Sequence, residues 1–236
     1  MMTARTELLA ILEWHTAADG SPTWRRYWQA GRDGVTYPTH SLGPLLEWFD
    51  DRIVAVSCVG AGRHTQPGYE LQDTVILLAR TQRERLLQMR LDLLSNRPEL
   101  WSYYSVQGTA GAYESPRVPQ AQPVVYLHGR SAPDQWEPLE SYADRFLPAR
   151  YRDSFHGQSA HEHHWGSDTW PVREFIDAIF ADRGSPIDIY RSLDMTLPGI
   201  VSEQSIAQHG QWLQVPNPRY FTSGIGVNPL PEVRMT

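Results

Sequence analysis

Between residues 85 and 94, Leu87, Met89, Leu91 and Leu93 alternate with Gln88, Arg90 and Asp92. A period of two predicts a strand with one covered and one wetter face. Residues 72–80 form the preceding strand of a hairpin, and there Val75, Ile76, Leu77 and Leu78 put apolar side chains on both faces. Further strands are expected at 7–14, 52–59, 101–107, 110–114 and 123–127, with a turn at Gln107–Gly108 joining the third of these to the fourth. Asp19-Gly20-Ser21-Pro22 marks a turn after the first. Helical spacing appears in Leu42, Leu45, Leu46, Trp48 and Phe49 and over 133–148. It recurs after Pro171, where Val172, Phe175, Ile176, Ile179 and Phe180 share one face until Gly184-Ser185-Pro186. A last helix is expected from about Asp188 to Gln208, bent by Pro198. The two late stripes should be core, packed on the sheet. The fold class is therefore α+β: one large, mostly antiparallel, open sheet with helices on one face.

With 236 residues there is ample chain for one large domain, expected over 1–218, and a proline- and glycine-bearing arm over 219–236. The net charge of -6, with scattered positive residues, argues against nucleic acid and anionic membrane surfaces as partners. All 21 basic residues are arginines, which removes Schiff-base chemistry and any lysine general acid. The lone Cys58 sits in the apolar run 53–59 and reads as a buried structural thiol. Leu8 to Leu12 is apolar, but Glu7 and Glu13 bracket it and it is too short to span a bilayer. A cytoplasmic location is the resulting expectation.

The chemistry centres on Thr36-Tyr37-Pro38-Thr39-His40-Ser41-Leu42-Gly43-Pro44. Pro38 biases Tyr37 toward extended backbone, and the helical spacing that follows places His40 at a helix entry, where both side chains can be aimed at one molecule. A phenol and an imidazole together can move protons on and off sugar hydroxyls or ring carbons. The alternative is that Tyr37 packs and His40 caps the helix. In Trp24-Arg25-Arg26-Tyr27-Trp28, the two arginines, Arg25 and Arg26, could clasp an anion or stack on a sugar face, or the segment could pack its rings on the sheet. Gly60-Ala61-Gly62 is a poor dinucleotide loop, because Gln66-Pro67-Gly68 breaks any following helix. His156, His161, His163 and His164, with Glu162 or Asp168, suggest a metal site, although neighbouring loop residues rarely converge on one ion and no HExxH helix is present.

Tyr37-Pro-Thr-His40-Ser-Leu-Gly-Pro44 resembles the Tyr-Pro-Thr-His-x-Leu-Gly-Pro segment in the C-terminal domain of the Gfo/Idh/MocA family, especially its branch of NAD-dependent glycosidases that includes α-N-acetylgalactosaminidases. Asp73-Thr74, Val106 to Gly111, Ile187 to Tyr190 and Pro198 to Ala207 look like that family's segments in the same order, over roughly residues 5 to 218. His164-Trp165-Gly166-Ser167-Asp168 resembles its Gly-His-Gly-Gly-x-Asp loop beside the nicotinamide, with Trp165 in place of a glycine and Thr169 where an aromatic is common. The resemblance implies Tyr37 and His40 as an acid/base pair acting next to a ketosugar carbonyl, with His164 and Asp168 orienting sugar hydroxyls; Arg25, from the aromatic cluster, and Trp165, where the loop departs from the family pattern, are added as candidate substrate contacts. It implies NAD(P) bound only through a Rossmann domain that is not in this chain, a sugar or glycoside substrate, and a homo-oligomer through the open sheet. Two rivals remain: a sugar-binding or assembly module without turnover, and a metal hydrolase built on the histidine loop.

Overall fold

The computed structural model describes residues 2–3, 15–65, 68–92, 103–118, 120–149, 152 and 168–221. Its strands are β1 (Met2–Thr3), β2 (Ile53–Gly60), β3 (Thr74–Thr81), β4 (Leu86–Asp92) and β5 (Ser105–Gly108), then β6 (Gly111–Glu114), β7 (Val124–Leu127), β8 (Glu137–Pro138) and β9 (Leu213–Gln214). Its helices are α1 (Trp24–Trp28), α2 (Thr39–Phe49), α3 (Ala143–Phe146), α4 (Thr169–Phe180) and α5 (Ile189–Ala207). The strand expected at 7–14 lies outside the described residues. The fold is α+β with antiparallel sheets, but the strands divide between a five-stranded and a four-stranded sheet where one large sheet was expected. They belong to two compact units: residues 1–103 with 190–236, and residues 104–189.

In the first unit the sheet order is β1-β4-β3-β2-β9, antiparallel throughout except for the β1–β4 pair. Cys58 stands opposite Leu77, and Leu77 opposite Met89, so one register carries the apolar row across three strands. Val56, Cys58, Val75, Leu77, Ala79, Leu87, Met89 and Leu91 form the covered face. Leu42 and Leu46 of α2 with Met195 and Val201 of α5 close over it. Each such large aliphatic side chain contributes roughly 1.5–3 kcal/mol on burial. The opposite face keeps Val59, Ile76 and Leu78 exposed beside Gln88 and Arg80.

Close approach of α5 to the preceding loop is what positions the Tyr37 segment. A Cβ on Gly199 would meet the Val35 carbonyl oxygen at 2.5 Å and Pro38 Cγ at 2.7 Å. Ser202 Oγ accepts the Val35 N–H at 2.8 Å and donates to the Gly199 carbonyl at 2.6 Å. One turn on, Ser205 Oγ accepts the Cys58 N–H at 2.9 Å and donates to the Gln211 carbonyl at 2.7 Å. At the other end of α2, Asp50 adopts a left-handed backbone (φ 45°), and Asp51, its side chain 2 % exposed, takes Arg85 Nη1 at 3.0 Å. Burial acts to raise the Asp51 carboxyl, but hydrogen bonds from Thr81, Arg52 and Arg83 and the nearby Arg85 charge outweigh it and hold the group below the ordinary range.

The second unit is an antiparallel meander, β5-β6-β7-β8. The turn between β5 and β6 falls at Thr109–Ala110, after the Gly108–Gly111 pair, not at Gln107–Gly108. The 133–148 region holds β8, a short 3₁₀ turn and the short helix α3. Helix α4 corrects a further expectation. Val172, Phe175, Ile176, Ile179 and Phe180 are all exposed, the last at 86 %, and Ala178 alone of the helix is buried. Helical periodicity identifies an apolar face without saying what covers it. The α5 stripe is core as expected.

Candidate functional site

The loop that α5 grips delivers Tyr37 and His40 to the start of α2, where His40 is the second residue. Their rings stack with centroids 4.5 Å apart and planes inclined by 26°. Both are half-buried, and Tyr37 also packs on the edge of the core. Pro38, in helical backbone at the N-cap position, accepts the Leu42 N–H at 2.8 Å through its carbonyl, so the first turn closes around its own backbone. The phenol and the imidazole are thus adjacent and partly open to solvent, at the entry to a helix whose other side is buried.

Beside them, α1 carries Trp24, Tyr27 and Trp28, each more than half exposed. The expectation that these rings pack on the sheet does not hold. The Arg25 guanidinium lies over Trp24 at 4.5 Å from the ring centroid, and Arg26 lies over Tyr69 at 3.9 Å while donating to the Gly68 carbonyl at 3.1 Å. Trp28 shares a small pocket of about 60 Å³ with Arg32, Asp33, Thr36 and Pro38, so this aromatic reaches the residues that flank Tyr37. Asp168 is exposed, immediately before α4 in the other unit, with no side-chain cap bond to that helix. His164 and Trp165, with His156, His161 and His163, lie outside the described residues. Among the described residues, no group of three or more His, Cys, Asp or Glu side chains could hold a metal ion.

His15 escaped the sequence reading. It is fully buried, 5.5 Å from the Tyr69 ring, and among the described residues neither ring nitrogen has a hydrogen-bond partner. Burial first, then the Arg26 and Arg25 charges, hold its pKa below the ordinary histidine value. A lone histidine after an apolar run carries no signal of these neighbours, since Tyr69 is far along the chain. Cys58 behaves as read: it is buried, and burial together with the Asp33 charge pushes its thiol up to about 12.

The loop after β2 does not fit a dinucleotide. It runs from β2 to β3, strand to strand, and among the described residues no helix lies between them to present its N-terminus to a phosphate. Its amides are already committed: Asp73 accepts the His64 and Thr65 N–H groups, at 3.2 Å each to the nearer oxygen, and Gln72 Oε1 accepts the Gly62 N–H at 2.8 Å. No helix among the described residues is long and apolar enough to cross a membrane.

Comparison with known proteins bears on this geometry. Residues 11–226 match the family model described as glycosyl hydrolase 109, C-terminal domain. A glycosyl hydrolase family 109 protein of Stenotrophomonas maltophilia (strain K279a) is 26 % identical over 222 residues, covering 85 % of this chain and 47 % of that protein. An alpha-N-acetylgalactosaminidase of Tannerella forsythia is 23 % identical over 229 residues, covering 85 % of this chain and 45 % of its own length. The chain therefore spans about half the length of the curated relatives it matches. Among solved structures, an NAD binding oxidoreductase from Klebsiella pneumoniae superposes with a TM-score of 0.59 at 14 % identity, over 78 % of this chain and 50 % of that one. At that identity the likeness concerns the fold.

Proposed function

Since the chain belongs to the glycosyl hydrolase 109 family, as its C-terminal domain, we propose that it is the substrate-binding and proton-transfer half of an NAD-dependent glycosidase or a related NAD(P)-dependent sugar oxidoreductase. The observation that carries this reading is the stacked Tyr37–His40 pair at the entry to α2. Stacking holds phenol and imidazole side by side, so one can give a proton to a leaving oxygen while the other takes one from the adjacent carbon or hydroxyl. The exposed rings of α1 give a sugar a face to lie on, and Arg25, stacked on Trp24, supplies charge beside that face. His164, Trp165 and Asp168 are proposed as further substrate contacts. Binding NAD(P) falls to a Rossmann domain, supplied in trans or by a longer parent chain, because the residues described here do not fit it. The substrate class follows the family: a sugar or glycoside, with α-N-acetylgalactosaminides the first to test.

The test is reconstitution. The chain should release p-nitrophenol from p-nitrophenyl α-N-acetylgalactosaminide only when a co-purifying Rossmann-domain protein and NAD are added. In that mixture, Tyr37→Phe and His40→Ala should each lower the rate by about 10² to 10⁴, the usual contribution of a positioned acid or base. Undiminished turnover by both variants would sink the assignment.

A second reading rests on the exposed Val59, Ile76 and Leu78 on the open sheet face: a non-catalytic sugar-binding or assembly module that forms homo-oligomers through that face. It differs from the first in predicting sugar binding and self-association but no turnover in any mixture.

A further inference from the structure

Helix α1 is held to the first unit from outside. None of its own residues is buried, and none belongs to the apolar core. Its start is fixed by the Thr23 N–H, which donates to the His15 carbonyl at 2.8 Å, and its middle by Arg26, which engages the Tyr69 ring and the Gly68 carbonyl. Just past its end, the Ala30 carbonyl accepts the Glu70 and Leu71 N–H groups at 3.1 and 3.2 Å. Such an element can leave without opening the core, at a free energy well below that of global unfolding.

At the start of the helix sits the buried His15. Arg25 and Arg26 face it from α1, and the Tyr69 ring, 5.5 Å away, faces it from the loop between β2 and β3. Among the described residues, the carboxylates on these segments are engaged elsewhere: Asp19 accepts the Ser21 hydroxyl and N–H, and Glu70 lies 3.4 Å from Arg63. Neither His15 nitrogen has a hydrogen-bond partner there, nor has Oε1 of the buried Gln29 at the C-cap of α1. A neutral imidazole tolerates this place at the cost of two unmade bonds. An imidazolium adds a third positive charge to two guanidiniums, out of water and without a counter-charge. Lifting α1 carries both arginines away and opens the ring to water in one movement. Burial and the same two charges hold the His15 pKa below the ordinary value, so the lifted state gains as pH falls below about 6.5.

We propose that His15 is a proton-operated release for α1: on acidification its charged ring drives the helix off the Tyr69 loop, and the exposed rings of Trp24, Tyr27 and Trp28 go with it. The face that these rings offer a sugar is then present at neutral pH and withdrawn in acid. The release itself is independent of the sugar reading, and its test contains no sugar.

The experiment is native-state hydrogen exchange on the full chain at about pH 7.5 and about pH 5.5, corrected for intrinsic exchange rates, with and without sub-denaturing urea. The Thr23, Glu70 and Leu71 amides report on α1, and the Cys58 amide reports on the centre of the sheet. Protection of the first three is expected to fall several-fold in acid, up to about tenfold for one proton taken up, and to be insensitive to urea because little surface is exposed. Cys58 should be better protected at both pH values and lose protection steeply with urea. His15→Leu should leave the first three amides equally protected at both pH values. Arg25→Gln removes one of the two opposing charges with the imidazole still in place, and it should shrink the acid loss. The proposal is overturned if the wild-type loss is absent, or if it carries the urea dependence of Cys58 and so is global unfolding. It is overturned too if the loss survives undiminished in either variant, which would assign it to another group such as His64 in the same loop.

Discussion

Gly199 and Val35 touch so closely that a Cβ on the glycine would come to 2.5 Å from the Val35 carbonyl oxygen. An alanine there would gain about 1 kcal/mol of helix propensity. It would meet backbone and the Pro38 ring, neither of which can swing aside, and overpacking of that kind costs typically 1–3 kcal/mol. Gly199→Ala is therefore expected to destabilise by up to about 2 kcal/mol net, read as a lower urea midpoint at unchanged slope. Because the displaced segment carries Tyr37, sugar affinity should fall at the same time.

Asp51 should dominate the acid limb of stability in the first unit. Its folded pKa is depressed, so its contribution is complete above the unfolded value of about 3.9 and is lost as pH falls through the folded value. Urea midpoints of the wild type should decline below about pH 4. Asp51→Asn should cost about 1–3 kcal/mol at neutral pH, because it weakens the bonds from Arg85 and the hairpin turn, and it should flatten that decline.

His15 acts at a higher pH and with the opposite charge. Its folded pKa lies below the ordinary value, so the unfolded chain takes up a proton first as pH drops through about 6.5. Stability should be unaffected above pH 7 and fall between about pH 6.5 and the folded pKa. His15→Leu should abolish that step, and it should leave the protein at pH 8 no less stable, since it removes two buried nitrogens without partners among the described residues. A variant that retains the step would assign it to another histidine.

The open face of the first sheet should drive self-association. Val59, Ile76 and Leu78 stand together on the uncovered side of β2 and β3, Val59 directly opposite Ile76. Light scattering at micromolar concentration should give a multiple of the chain mass. The pair Ile76→Arg and Leu78→Arg, which touches no core position, should reduce it to the monomer. A wild-type monomer would mean that this face carries no interface.

How legible all this was depended on the range of the contacts involved. The alternation in 85–94 and the helical spacing after His40 are local signals, and hairpin and helix stand where those signals put them. The Tyr37–His40 stack was legible because three residues span it and a helix entry fixes their geometry. The meeting of Arg26 with Tyr69 was not, because it depends on where the loop between β2 and β3 returns. His15 was missed for the same reason. The stripe of α4 shows the converse failure: its periodicity is strong, yet burial depends on a neighbour that periodicity does not specify. The division of the strands into two sheets likewise depends on pairing partners, and no single strand's pattern names its partner.

Ser202 and Ser205 fasten two different parts of the first unit to one helix, the first through the Val35 amide and the second through that of Cys58. An opening that lifts α5 therefore frees both amides in the same event. In hydrogen-exchange terms the loop bearing Tyr37 and the centre of the sheet belong to one cooperative unit, and their protection should rise and fall together. Tyr37 then has no local melting of its own: its stack with His40 stays assembled for as long as the helix stays docked, and is lost with it.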